Sequence, residues 1–85
     1  MKIVQTESLS KQFSRLPKEV LQQFDKQIDL LLTDQRHPSL RFKKLKGHED
    51  VYSIRIAGRY RALFILTADS YIFFAIGHRK DVYRP

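Results

Sequence analysis

The chain contains 85 residues, of which 42% are hydrophobic and 12% aromatic. That is enough apolar material for the core of one small domain and too little chain for a two-domain enzyme, so we assign residues 1–85 to a single domain. The formal net charge is +7, there is no Cys, and the apolar runs are far shorter than the roughly 18 residues of a membrane span. These features favour a cytoplasmic protein without disulfides and without a membrane partner.

The positive charge is concentrated in the second half of the chain. Residues 1–35 hold five basic and five acidic side chains, so residues 36–85, with eleven basic and four acidic ones, carry the whole net charge of +7. A one-sided field of this kind favours a polyanionic partner, with nucleic acid first and an acidic protein second. The alternative is a solvated basic surface.

The first half of the chain predicts helices. Leu9, Phe13 and Leu16 indicate a short helix, and Pro17, which suits a first helical position, starts a longer one that runs to Asp34. Residues Lys2 to Thr6 predict a short opening strand. The long helix is predicted from one apolar face, formed by Val20, Leu21, Phe24, Ile28, Leu31 and Leu32.

After His37-Pro38-Ser39, where the proline favours a loop, the apolar pattern changes to that of strands. Three runs rich in aromatic and branched residues, 51–56, 60–66 and 71–76, are separated by short turn-forming segments. We therefore predict an α+β fold in which a helical hairpin packs on a small antiparallel β-sheet.

Alternation along the first two of these strands separates a core face from a basic face. Tyr52, Ile54 and Ile56 share the face that the helices should cover, whereas Ser53 and Arg55 point away from it. In the next strand, Arg59 and Arg61 share one parity. If Arg55 and Arg61 project from the same open face, their planar guanidinium groups suit phosphate oxygens.

The connector Arg41–Gly47 is a basic run with apolar residues between the charges. Its lysines, Lys43, Lys44 and Lys46, could follow a phosphate backbone. The alternative is a half-buried connector whose Phe42 and Leu45 enter the core while the lysines face water, and the two interpretations are compatible.

The tail after the last predicted strand places His78, Arg79 and Tyr83 within six residues. An imidazole and a phenol next to arginines can move protons and stabilise an anion. His37, His48 and His78 lack a paired ligand spacing and no carboxylates cluster, so we predict no metal site and no cofactor. Cleavage of RNA needs neither, because the 2′-hydroxyl is an internal nucleophile.

Four segments together resemble the RelE/ParE toxin superfamily: Leu45-Lys46-Gly47, the strands Tyr52–Ile56 and Gly58–Phe64, and the tail Ile76–Arg84. The resemblance covers almost the whole chain. It implies a microbial-RNase-like α+β fold and the toxin half of a type II toxin–antitoxin pair. RelE-type members cleave mRNA in the ribosomal A site without a metal, whereas ParE-type members inhibit DNA gyrase.

The RelE pattern also implies roles for individual residues. Arg55 corresponds to a phosphate-contacting residue, Arg61 and Arg79 to the first and second transition-state arginines, and Tyr83 to the catalytic phenol. Ser53 stands where the RelE pattern has a lysine near the base, and His78 is a substitute for that function. Since only two residues follow Tyr83, we expect the C-terminal helix of longer relatives to be absent or reduced to a turn.

The expected function is that of a ribosome-dependent mRNA endonuclease that blocks translation by metal-independent attack of the 2′-hydroxyl. Arg59 and the three connector lysines are assigned to substrate binding, and the expected partners are an acidic antitoxin, in a possible hetero-oligomer, and mRNA in the A site. The alternatives are a gyrase inhibitor or a non-catalytic basic RNA-binding domain. Arg61, Arg79 and Tyr83 favour the first, because occupying gyrase needs no catalytic constellation.

Overall fold

The computed structural model describes residues 1–82 and has the predicted α+β architecture. Within these residues, no helix has both the length and the apolar character needed to cross a membrane. The elements follow in the order β1 (Lys2–Gln5), α1 (Glu7–Phe13), α2 (Lys18–Thr33), a 3₁₀ turn (Pro38–Leu40), β2 (Lys43–Lys44), β3 (Val51–Ala57), β4 (Tyr60–Leu66), β5 (Ser70–His78) and α3 (Arg79–Val82).

The strands form one five-stranded sheet in the order β1-β5-β4-β3-β2. The predicted antiparallel meander of β3, β4 and β5 is its centre. The opening strand is confirmed, but it pairs parallel to β5, a contact across most of the chain that no local pattern indicates. The pairing of β2 with β3 was not predicted either, because two exposed lysines show no strand alternation.

The two longer helices pack on one face of the sheet and are fixed by local contacts. The hydroxyl of Thr6 accepts a hydrogen bond from the backbone N–H of Leu9 at 3.2 Å and so caps α1. Pro17 occupies the capping position of α2 rather than its first turn. The rings of Phe13 and Phe24 meet edge to face at 5.1 Å and join the helices into the predicted hairpin.

The apolar face of α2 differs from the prediction at its end. Leu31 is buried as expected, but Leu32 is 45% exposed, and Leu30 packs against the core in its place. The apolar stripe therefore shifts slightly around the helix axis. In the run Leu30-Leu31-Leu32 the sequence alone does not show which two leucines face the core.

An aromatic cluster around Phe64 forms the centre of the core. Phe64 on β4 has no exposed surface, and its ring contacts aromatic rings from β3, β5 and the segment before β2. The ring centroids lie at 4.9 Å from Phe73, 5.4 Å from Tyr71, 5.7 Å from Phe42 and 6.0 Å from Tyr52. One side chain thus connects the three central strands to the basic connector.

The opposite face of the sheet is only partly open. Ser53 and Leu63, which pair across β3 and β4, are 0% and 4% exposed, although alternation predicts an open face there. The row formed by Arg55, Arg61 and Gly77 lies nearer the other end of these strands and keeps partial exposure. The open basic surface is therefore confined to one end of the sheet.

We expect Phe64→Ala to lower the free energy of unfolding by about 3–5 kcal/mol, because it leaves a cavity between four aromatic rings. Ile65→Ala is the matched control: Ile65 is the next residue, points to the other face and is 37% exposed, so we expect a loss of about 1 kcal/mol. Urea unfolding measures both. Equal losses would show that the aromatic cluster is not the centre of stability.

Candidate active site

Arg55 and Arg61 lie directly opposite each other on β3 and β4. Side chains at such positions have Cβ atoms about 4.5–5.5 Å apart and share one face. The predicted common face of the two arginines is confirmed. Two like charges in this arrangement repel each other, so the pair lowers the stability of the free protein and attracts an anion.

Arg61 carries an unsatisfied donor. Its Nη1 atom is buried and has no hydrogen-bond partner among residues 1–82. A buried polar group without a partner costs free energy, and more so when it is charged. A bound anion with several acceptor oxygens, such as a phosphate, would remove both this cost and the repulsion from Arg55.

The turn between β3 and β4 brings a third arginine, Arg79, to this pair. Gly58 adopts a φ of +54° in the turn, and its carbonyl accepts a hydrogen bond from Arg55 Nε at 3.2 Å. The backbone N–H of Arg79, the first residue of α3, donates to the carbonyl of Arg59 at 2.8 Å. These contacts close a cavity of about 230 Å³, lined by Arg41, Arg55, Gly58, Arg59, Arg61 and Arg79.

A second, larger cavity shares two of these arginines. It has a volume of about 560 Å³, and Arg61 and Arg79 line it together with the basic connector. Lys43, Lys44 and Lys46 are exposed along it, as predicted, and Phe42 packs against the core. Leu45 does not join the core and lines this cavity instead, which corrects the prediction that both apolar residues of the connector are core residues.

His48 also lines the larger cavity, and the sequence analysis did not assign it a role. The chain reverses at Gly47, with a φ of +81°, and the backbone N–H of His48 donates to the carbonyl of Leu45 at 3.3 Å. This turn returns the imidazole to the surface that the lysines form. A glycine directly after a basic run was the available signal for the reversal.

The structure does not bring His78 into either cavity. Strand β5 continues through His78, which the sequence analysis placed in the tail, and His78 pairs with Tyr60, whose ring it meets at 5.9 Å. Its Nδ1 accepts a hydrogen bond from the N–H of Lys80 at 3.3 Å. Since the adjacent Gly77 pairs with Arg61, alternation turns His78 to the face away from the arginines.

Tyr83, the predicted catalytic phenol, lies outside the described residues. The segment before it, residues 79–82, forms α3. The N–H of Arg79 at the start of this turn is fixed to the carbonyl of Arg59, so the chain leaves the sheet beside the arginine cavity.

The cations of the site have no carboxylate partners among residues 1–82. The ion pair found in this range joins Lys11 Nζ and Glu7 Oε1 at 3.9 Å, and both residues are exposed on α1. No group of three His, Cys, Asp or Glu residues in the described part of the chain could hold a metal ion. The site consists of converging cations whose charge is left for a ligand to neutralise.

Solved structures share this fold. A chain of the RelB–RelE antitoxin–toxin complex from Methanococcus jannaschii is 25% identical, with a TM-score of 0.78 and 94% of each chain covered. The archaeal RelE–RelB complex from Pyrococcus horikoshii OT3 gives 20% identity and a TM-score of 0.75, over 94% of this chain and 96% of that one. YafQ from E. coli strain BL21(DE3) gives 11% identity and 0.78, over 98% of each chain. No curated protein matches the sequence.

A family model and the 25% identical M. jannaschii chain define the class of protein: a toxin of the RelE/ParE superfamily. The model of the ParE-like toxin domain matches residues 18–81, which include α2 and every strand of the sheet except β1. The chain therefore belongs to the ParE-like toxin domain family and is a toxin of a toxin–antitoxin system.

We expect inorganic phosphate to raise the melting temperature of the protein, because it binds the arginines of the folded state only. A phosphate concentration ten times the dissociation constant adds about 1.4 kcal/mol of stability. Arg61→Gln should lose most of this gain, whereas Arg15→Gln, an exposed arginine between the two helices, should keep it. A thermal scan at constant ionic strength measures the effect, and an equal gain in sodium chloride would contradict a specific site.

Proposed function

We propose that the protein is a ribosome-dependent mRNA endonuclease that cleaves by attack of the 2′-hydroxyl on the adjacent phosphate, without a metal. The carrying observation is the buried, unpartnered Nη1 of Arg61 at the place where Arg55 and Arg79 converge. A group held in this way before the substrate arrives is preorganised to bind charge that develops in the transition state.

The proposed reaction needs two proton transfers and one anion-binding site. The O2′ oxygen loses its proton and bonds to phosphorus, the P–O5′ bond breaks, and the O5′ oxygen takes up a proton. The products are a 2′,3′-cyclic phosphate and a free 5′-hydroxyl. Arg61 and Arg79 stabilise the pentavalent phosphorane, while Arg55, Arg59 and the connector lysines bind the neighbouring phosphates.

His48 is the imidazole that the geometry favours for one proton transfer, because it lines the same cavity as Arg61 and Arg79. His78, the group suggested by the sequence, faces Tyr60 instead. Ser53 cannot take the place of the missing lysine, since it is fully buried. The second transfer is assigned to Tyr83, on the strength of the resemblance alone.

The partner that restrains this activity is proposed to be an acidic antitoxin. The M. jannaschii and P. horikoshii structures are toxin–antitoxin complexes, and the net charge of +7 favours an acidic segment that becomes ordered on the toxin. Such a segment would neutralise the same unpaired cations that the substrate needs, and would thereby compete with mRNA.

Inhibition of DNA gyrase is the second candidate, and the match to a ParE-like toxin domain supports it. Gyrase inhibition requires an interaction surface but no group that stabilises a transition state. It therefore does not account for the buried, unsatisfied guanidinium nitrogen of Arg61. A gyrase supercoiling assay distinguishes the two functions, because an endonuclease leaves supercoiling unchanged while a translating extract loses intact mRNA.

We expect Arg61→Ala to reduce mRNA cleavage in a translating extract by about 10²–10³-fold, the usual effect of removing one donor to a developing oxyanion. The fold should remain intact, because the side chain lies outside the aromatic core. Arg15→Ala, which removes one exposed positive charge that lines neither cavity, should cleave as wild type does. Primer extension locates and quantifies the cuts.

End-group analysis of the same cut mRNA tests the mechanism. A 2′,3′-cyclic phosphate or 3′-phosphate with a 5′-hydroxyl is the expected result. A 5′-phosphate with a free 3′-hydroxyl would point to an activated water and would exclude attack by the 2′-hydroxyl. Intact mRNA together with inhibited gyrase would replace the proposed function by the second candidate.

A matched pair of histidine variants tests the assignment of the base. We expect His48→Gln to slow the single-turnover cleavage rate by about 10²-fold or more, the typical contribution of a general acid or base, without weakening ribosome binding. His78→Gln should change the rate much less, because its ring lies on the other face of the sheet. A larger loss of rate in His78→Gln than in His48→Gln would assign the proton transfer to His78 instead.

A further inference from the structure

A third cavity lies where α2 is followed by the 3₁₀ turn, beside the cavity lined by Arg55, Arg61 and Arg79, which is here named the arginine site. The third cavity has a volume of about 380 Å³ and is lined by Gln35, Arg36, His37, Pro38, Arg41 and Phe42. We propose that this cavity, here named the flanking subsite, binds the nucleotide next to the cleaved phosphate in single-stranded RNA. The proposal rests on the proposed function and extends it to the course of the substrate strand.

Arg41 connects the flanking subsite to the arginine site, since it lines both cavities. Its backbone has a φ of +46°, a left-handed conformation that is unfavourable for a residue with a Cβ atom. Strained backbone is retained where the surrounding structure enforces it and where it positions a side chain for binding. Arg41 is such a residue, and it lines two cavities.

The enforcement comes from both neighbours of Arg41. Leu40 before it has no exposed surface, and Phe42 after it packs against Tyr52 with ring centroids 5.2 Å apart. The N–H of Arg41 also donates to the carbonyl of Pro38 at 3.2 Å, which closes the 3₁₀ turn. With one core anchor on each side, the backbone at Arg41 is held in this conformation.

Side-chain hydrogen bonds fix the position of the loop relative to the arginine site. Gln27 on α2 donates from its Nε2 to the carbonyl of Arg55 at 2.9 Å and to that of Ser39 at 3.3 Å. Gln35 donates to the hydroxyl of Tyr71 at 2.7 Å. One amide thus joins the loop to the strand that carries Arg55, so the flanking subsite and the arginine site are held together as one rigid surface.

The composition of the flanking subsite fits a nucleotide. Arg36 and Arg41 are exposed cations, and none of the described residues that line the cavity carries a carboxylate. The partly exposed ring of Phe42 provides an apolar surface on which a base can rest. Proteins that bind single strands combine a basic groove with aromatic side chains in this way. A single strand uses both the cations and the ring, and this combination favours a nucleotide.

The test uses oligonucleotides that cannot be cleaved. Fully 2′-O-methylated RNA of two and of six nucleotides is titrated against the full chain by fluorescence anisotropy at low salt. We expect the hexamer to bind more tightly than the dimer, and Arg41→Ala to weaken hexamer binding by about fivefold. The dimer should lose less affinity, because Arg41 lines both cavities but the dimer reaches only the arginine site. The slope of log affinity against log salt for the hexamer should fall by about 0.7, the value for one lost phosphate contact on a single strand.

Three further variants complete the design. Arg36 has no positive φ and lines the flanking subsite but not the arginine site, so Arg36→Ala should weaken hexamer binding by a similar factor and leave dimer binding unchanged. This variant keeps the proposal testable if Arg41→Ala disturbs the loop. Arg41→Gly relieves the backbone strain, so it should raise the melting temperature of the protein and lower its affinity for the hexamer. Arg15→Ala, an arginine of similar exposure that lines none of the three cavities, should change neither affinity.

Several results would overturn the proposal: equal losses for Arg15→Ala and Arg41→Ala, equal losses for dimer and hexamer, or no binding of the hexamer by wild type. Weakened binding of an acidic antitoxin peptide with unchanged hexamer binding would assign the cavity to the antitoxin instead. These outcomes are separate from those of the cleavage assay. Normal cleavage in the extract with an unaffected hexamer would reject the flanking subsite only, and bound hexamer without any cleavage would reject only the proposed function.

Discussion

The pairing of β3 with β4 is the constraint on which the site depends. Its register places Arg55 and Arg61 opposite each other, an arrangement that repels and that no carboxylate among residues 1–82 relieves. The free protein carries this cost because the same two strands supply Ile54, Ala62 and Phe64 to the core on their other face, each without exposed surface. Burial of that face outweighs the repulsion, since each large buried side chain contributes about 1.5–3 kcal/mol.

Stability and binding are therefore divided between the two faces of one sheet. Strand alternation makes this division possible, because a residue on one face can be replaced without opening a cavity on the other. The division is incomplete at Ser53 and Leu63, which are buried on the basic face and restrict the open surface to one end of the sheet. As a result the cations are concentrated over a small area, which raises their attraction for a polyanion.

Much of the fold follows from patterns that are local in the chain. The two helices, the break at Pro17 and the three central strands were predicted, because each rests on a periodicity within a single segment. The parallel pairing of β1 with β5 was not, since it depends on how the helices return the chain to the sheet. The exposure of Leu32 and the cavity position of Leu45 likewise depend on neighbours from other segments.

The sequence by itself determined the one-sided charge and the side of its own strand on which each of Arg55 and Arg61 lies, because composition and a two-residue period need no tertiary information. That the two arginines share a face and lie opposite each other follows from the register of β3 with β4. Only the tertiary structure decided which further groups meet these arginines. It brings in Arg79 through a hydrogen bond to a distant turn and His48 through a chain reversal, and it turns His78 away with Tyr60. The physical reason is that such contacts join residues far apart in the chain, whose distances are fixed by packing and not by local conformation.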